Sequence, residues 1–469
     1  MSPAVLLAIA AAGVGLLLLL VLKAKVQPFV ALLVVSTAVA LVAGVPPAEL
    51  VDTIEDGMGS TLGHVAIIIA LGAMVGRVIE LSGGANSLAH TLIERFGERR
   101  TPLALAVAGF VLGIPVFFEV GLIILMPLVY GVARSSRKPL LVYALPMGTA
   151  MLTVHAFLPP HPGAVAAAGQ IGSDLGWILL LGLPITAVVV GVGYLVSKRL
   201  TRKEHPMSPD VRAEVYGPQE PASHGTGGGG SAVTTATAPA EVRTEQAPSF
   251  GMIVALIVTP ILLILAGTVG ELALPEGSVL RATLTVLGAP MVALLISLAL
   301  SAWLLGIRRG WSHAHVAEVM GSALPPVAMV ILVAGAGGVF GKVLVATGIG
   351  DAVADLLQST GLPLLVLAFA MTLLLRAAQG SATVALVTTA GLIMPLLQGI
   401  ELSAPRLALV SLAMGAGALG LSHVNDAGYW MFAKLVGLEV GSALRTWTVL
   451  TTVMAVTGFG LTAAVWPLV

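Results

Sequence analysis

The run HAFLPPHPG, residues 155–163, holds two histidines and three prolines in nine positions. An imidazole titrates near neutral pH, so His161 reads as a proton shuttle, as a hydrogen-bond donor to a ligand hydroxyl, or as a fixed hydrogen bond to unwound backbone. Glu119, in GIPVFFEVGLIILMPL (113–128), lies beside Val116, Phe117 and Phe118. A carboxylate in that setting is either a proton carrier or a structural acid paired with Arg376 or a backbone N–H. Asp426, in LSHVNDAGYW (421–430), has the same two readings plus helix capping, which Asn425 shares. Arg376, in RAAQGSATVALVTTAGLI (376–393), can grip a carboxylate with its planar fork, neutralise Glu119, or snorkel toward an interface. Gln379, Ser381, Thr383, His423 and Asn425 add donors and acceptors suited to a polyhydroxylated chain. Gly380 lets a ligand approach the backbone, and Pro160 marks backbone unwound for the same purpose. No HExxH or comparable spacing joins His155, His161, His423 and Asp426, so no metal is expected.

The elements that must hold these residues are set by composition. Apolar residues make up 57% of the 469-residue chain and charged ones 10%, far from soluble proportions. Apolar runs near the roughly 20 residues of a bilayer crossing recur throughout, so the chain reads as an all-α polytopic membrane protein. Lys and Arg gather at Lys23/Lys25, Arg95/Arg99/Arg100, Arg134/Arg137/Lys138, Lys198–Lys203 and Arg308/Arg309, which places those loops in the cytoplasm. Acidic loops at Asp52/Glu55/Asp56 and Glu271/Glu276 then fall outside. Residues 103–133 run from one basic loop to another and break at Gly113-Ile114-Pro115, the pattern of a re-entrant hairpin. Residues 363–397 repeat it from the outer side, broken at AAQGS (377–381).

Shifting the chain on itself by 265 positions sets Gly72 on Gly337, Gly76 on Gly341, Arg77 on Lys342, Gly83 on Gly348, His161 on Asp426 and Gly163 on Gly428. On the charge reading the two copies cross in opposite directions, which predicts inverted-topology repeats whose broken helices meet near the midplane. The repeats span residues 1–197 and 250–469. Between them, 198–249 is polar and includes GTGGGGSAVTTATAPA, the composition of a flexible cytoplasmic linker.

Unpaired backbone costs several kcal/mol per group in hydrocarbon, so four breaks predict one protein-lined cavity. Each break also turns a helix N-terminus, an anion-attracting end, toward it. Ser381 and Thr383 are placed to cap one arm and Asn425 or Asp426 another, while Pro160 and Pro162 suit a first helical turn.

The five ordered motifs, the four quoted and RTWTVL (445–450), resemble the gluconate permease family over both repeats. The resemblance implies a proton symporter for gluconate or a related sugar acid in the cytoplasmic membrane, built as a homodimer with a scaffold and a mobile transport domain. Within that mechanism the residues read above for proton coupling are Glu119, His161 and Asp426. Those read for substrate binding are Pro160, His161, Arg376, Gln379, Gly380, Ser381, Thr383, His423 and Asn425. Sodium coupling, or another small acid such as D-serine, would leave the motifs intact. No enzyme activity, cofactor or nucleic-acid partner is expected, since nucleophile–base spacing is absent and 23 basic residues balance 23 acidic ones.

Overall fold

A computed structural model of the chain describes residues 1–217, 247–349, 352, 363–398 and 400–469. The first half contributes α1 (Pro3–Leu18), α2 (Pro28–Val42), α3 (Pro47–Leu81), α4 (Gly84–Phe96) and α5 (Thr101–Leu112), then α6 (Phe118–Ser136), α7 (Leu141–Phe157), α8 (Pro162–Ile171) and α9 (Leu175–Leu200). After α10 (Pro209–Tyr216) come α11 (Phe250–Ala273), α12 (Val279–Gly288), α13 (Pro290–Ser301), α14 (His313–Ser322) and α15 (Leu324–Ala346). The rest is α16 (Leu364–Gln379), α17 (Ala382–Gln398), α18 (Ala404–Leu419), α19 (Ala427–Val436), α20 (Val440–Ala443) and α21 (Val449–Val465). Among the described residues nine helical stretches are long and apolar enough to cross a membrane.

Burial sorts these stretches. The most apolar 18-residue window of Leu141–Ile171, the stretch that holds α7, the break and α8, is 94% buried, whereas that of the first span, Pro3–Val21, is 18% buried. The chain therefore interrupts its helix where neighbouring protein, not lipid, surrounds the exposed backbone. α3 packs along α15 through small residues: a Cβ at Gly57 would lie 2.7 Å from the Val339 Cα, and one at Gly338 2.0 Å from the Thr61 hydroxyl. Close backbone approach of this kind replaces the hydrophobic drive that lipid removes.

Helix bounds recur at the 265-residue offset. α8 shifted by 265 covers α19 to the residue, and α9 shifted covers 440–465, the stretch of α20, a π turn and α21. α8 and α19 both end on left-handed glycines, Gly172 and Gly437. The stretches 103–133 and 363–397 contain the pairs α5–α6 and α16–α17, broken at 113–117 and 380–381. α16 packs on α17, while α5 and α6 each pack on α7.

The chain leaving α9 is structured where a flexible linker over 198–249 is expected. Ser208 N donates to the Gly437 carbonyl at 2.7 Å, and Arg134 donates to the carbonyls of Val215 (2.6 Å) and Glu214 (2.5 Å) at the end of α10. The remainder of that expectation, 218–246, lies outside the described residues.

The tip of the first break docks on α3 at Gly76, where a Cβ would fall 1.8 Å from the Pro115 carbonyl oxygen. Gly63, on the same helix, has nothing within 4 Å of its would-be Cβ. Gly76→Ala is expected to lower the melting temperature of the detergent-purified protein. Gly63→Ala should match or exceed wild type, because Ala favours a helix by about 1 kcal/mol over Gly. Equal melting temperatures for the two variants would remove this tip contact as a constraint.

Candidate functional site

Four helix N-termini converge, and they pair across the two halves. Phe118 opens α6 and packs on Gly428 near the start of α19, where a Cβ would meet its ring at 3.0 Å. Thr383, the second residue of α17, packs on Gly163 near the start of α8, with a would-be Cβ 3.2 Å from its Cα. The offset carries Phe118 to Thr383 and Gly163 to Gly428, so the two contacts are one contact exchanged between halves. A self-complementary pairing of this kind is what a two-fold relation produces.

At the α7–α8 break His161 is the residue before the helix, and its Nδ1 accepts from Gly163 N at 3.4 Å. Pro162 takes the first helical position, as expected. Pro160 does not: it lies before the cap and packs on α3 at Gly72, where a Cβ would be 3.1 Å away. The imidazoles of His155 and His161 lie with centroids 3.2 Å apart and planes inclined at 37°, and each meets a phenylalanine of the GIPVFFEV run edge-on. His161 Nε2 and His155 Nδ1 are buried without a protein partner.

The second break is stapled to the α18–α19 break. Gly380 ends α16 in the left-handed region at φ +79°, where a Cβ would sit 2.1 Å from the Asn425 carbonyl oxygen. Asn425 Nδ2 donates to the Ala377 carbonyl at 2.5 Å. Ser381 caps α17 by accepting from Val384 N at 3.3 Å; Thr383, the other expected cap, instead faces α8. Arg376 is buried and donates to both the Gly380 carbonyl and the Asp426 carboxylate. Asp426 caps α19 through Gly428 N at 2.9 Å and also accepts from Ser422. Ser422 in turn accepts from the Trp447 indole at 2.8 Å.

Arg376, read from the sequence as gripping a ligand carboxylate, neutralising Glu119 or snorkelling to an interface, makes its ion pair with Asp426. Glu119, half-buried one residue into α6, forms no salt bridge among the described residues and lies within the electrostatic reach of both Asp426 and Arg376. Arg376 Nε and Gln379 Oε1 are buried and unpaired. Asn425 is exposed, and His423 contributes its carbonyl to Asp426 N at 2.8 Å. Phe117, Phe118, Ser422 and Trp447 belong to the centre without having been singled out; the one signal for Trp447 is its place in RTWTVL.

A bundle of apolar helices around a polar centre of broken helices and an ion pair is the build of a membrane transporter. The chain belongs to the GntP family of permeases, whose model spans residues 5–469; these are multi-pass membrane transporters and not enzymes. It is 50% identical over 469 residues to the inner membrane permease YgbN of Escherichia coli, covering all of both chains. It is 38% identical over 459 residues to a gluconate permease of Bacillus subtilis (97% and 98% covered). The Gnt-II system L-idonate transporter of Escherichia coli is 38% identical over 453 residues (96% and 97% covered). Two solved structures share the fold at 15% identity. They are Neisseria gonorrhoeae MtrF, from a class of antimetabolite efflux pumps (TM-score 0.66; 93% and 94% covered), and the Alcanivorax borkumensis YdaH transporter (TM-score 0.59; 94% and 97% covered).

Breaking a buried ion pair from one side costs about 3–5 kcal/mol, because the remaining charge has no counterpart, whereas neutralising both partners costs less. Asp426→Asn is therefore expected to reduce the yield and melting temperature of folded protein sharply. Arg376→Gln combined with Asp426→Asn should recover much of the stability without transport. A double variant no more stable than the single one would show that the pair's charges are not what holds this break together.

Proposed function

We propose that the protein is a proton-coupled symporter for gluconate or a closely related sugar acid in the cytoplasmic membrane. It works by alternating access of inverted repeats whose hairpins are re-entrant. The observation that carries the reading is the charge arrangement at the centre: Arg376 is committed to Asp426, and Glu119 is a second carboxylate without an ion-pair partner among the described residues. A carboxylate at membrane depth carries a cost of roughly 2.5–3.5 kcal/mol and is kept for function.

The coupling follows from charge. With Glu119 ionised the centre holds one cation and two anions, and a substrate carboxylate would be a third anion in a poorly screened site. Protonating Glu119 removes one negative charge as the substrate adds one, so proton and anion bind together. The substrate carboxylate then takes the N-terminal ends of α8 and α17 and the free Arg376 Nε. Its hydroxyls take Gln379 Oε1, Ser381, Thr383, Asn425 and His161 Nε2, with His423 and the backbone at Pro160 and Gly380 at the margin. His161 relays the proton, and Asp426, held by Arg376, sets the field rather than carrying the charge. The gluconate and L-idonate transporters among its relatives support a sugar-acid substrate. Helices α5–α8 and α16–α19 form the moving unit against a scaffold around α2, α3 and α15, and the protein functions as a homodimer.

The test is labelled gluconate uptake into proteoliposomes with an imposed inward proton gradient. Wild type is expected to accumulate gluconate, to lose accumulation on adding a protonophore, and to ignore sodium. Glu119→Gln should abolish accumulation while retaining gluconate counterflow. Sodium-driven accumulation at fixed pH, or undiminished accumulation by Glu119→Gln, would sink the coupling assignment.

A further inference from the structure

α3 measures out a line of cavities. Near its start, Ser60 and Thr61 line a cleft of about 900 Å³ shared with Gln170, Gly337 and Lys342. Eleven residues on, Gly72 and Ala73 border a void of about 10 Å³ at Pro160 and His161. Beyond it, Gly76, Arg77 and Glu80 line a pocket of about 100 Å³ with Pro115 and Ser322. From Asp56 to Arg77 the helix advances roughly 30 Å at about 1.5 Å per residue, the thickness of a bilayer's hydrocarbon core. On the loop-charge orientation the large cleft opens outward and the small pocket faces the cytoplasm.

Each cavity carries a cation at the same repeat position, Lys342 outside and Arg77 inside. They differ in engagement. Arg77 donates to Glu80 at 2.6 Å and to Ser322 Oγ at 3.0 Å, while Lys342 stands 3.9 Å from Asp56 and is half exposed. Gln170 points its Nε2 at the Ala334 carbonyl, at 2.9 Å, and leaves a buried Oε1 without a partner. Glu401 also lines the cleft. A cation held as loosely as Lys342 takes an anion briefly and lets it go, as a conduction pathway requires.

We propose that this cleft is an outer capture site for a small hydroxylated carboxylate, in which the substrate's carboxylate displaces Asp56 from Lys342 and a hydroxyl donates to Gln170 Oε1. Arg77 is the inner counterpart, locked to Glu80 and Ser322 while the outer cleft is open. The proposal deepens the symporter reading and rests on it for the identity of the anion.

The chain has no cysteine, so Ser60→Cys creates a single thiol in the cleft. Its labelling rates by membrane-impermeant anionic and cationic methanethiosulfonates are compared with and without Lys342→Gln, alongside gluconate uptake kinetics. The expected result is a roughly tenfold fall in the anionic-to-cationic rate ratio with Lys342→Gln, which corresponds to about 1.4 kcal/mol. KM for external gluconate should rise by a similar factor, with kcat held, and Lys342→Arg should restore it. An unchanged rate ratio, or a changed ratio with an unchanged KM in a protein that does transport gluconate, overturns the capture site. If the ratio falls but wild type takes up no gluconate, the anion site stands and the sugar-acid reading fails.

Discussion

In hydrocarbon a backbone N–H or C=O has no water to turn to, and the rest of this structure depends on that constraint. Four helices stop inside the bundle, and each freed group must be met by protein or be offered to a ligand. The partners are unusually local. His161, Ser381 and Asp426 cap the helices they precede, and Asn425 and Arg376 take carbonyls at the end of α16. Two imidazole nitrogens, the Arg376 Nε and the Gln379 Oε1 are buried there without a partner, where the helix ends meet.

The same constraint explains why the centre needs Arg376. A half-buried carboxylate at Glu119 and a buried one at Asp426 would repel in a medium that screens poorly. A guanidinium bound to Asp426 lowers that repulsion, since Arg stays protonated, without forming an ion pair with Glu119. Ser422 and Trp447 complete the acceptor demand of Asp426, fixing the pair in one geometry rather than letting the cation choose between two acids.

Much of this was legible in the sequence for stated reasons. Apolar run length and basic loops follow from composition, and the breaks follow from Pro and Gly, which cannot continue a helix quietly. The partner of Arg376 was not legible, because a ligand carboxylate, Glu119 and the membrane interface each satisfy one guanidinium equally well on paper. The exchange of α6 and α17 onto α19 and α8 was also hidden, since the weak register of Gly163 on Gly428 says that two segments are alike, not that each sits beside the other's neighbour. Pro160 misled because its ring suits a first turn, yet the capping function needs a side-chain acceptor, which His161 has and Pro160 lacks. α10 was missed because the glycine- and threonine-rich residues after it dominated the composition, and Arg134 holds it through backbone carbonyls, which leave no mark in a residue pattern.

The two halves related by the 265-residue offset do not make the same contacts. The symmetric contacts, Phe118 on Gly428 and Thr383 on Gly163, hold the centre together in either half. The asymmetric ones distinguish the halves: Pro115 covers Gly76 on α3, while the repeat mate of Gly76, Gly341, has Met394 as its nearest neighbour, with a would-be Cβ 2.7 Å away, beside the open cleft. The interruptions that create the polar centre are thus also the points at which the two halves meet, through paired helix ends.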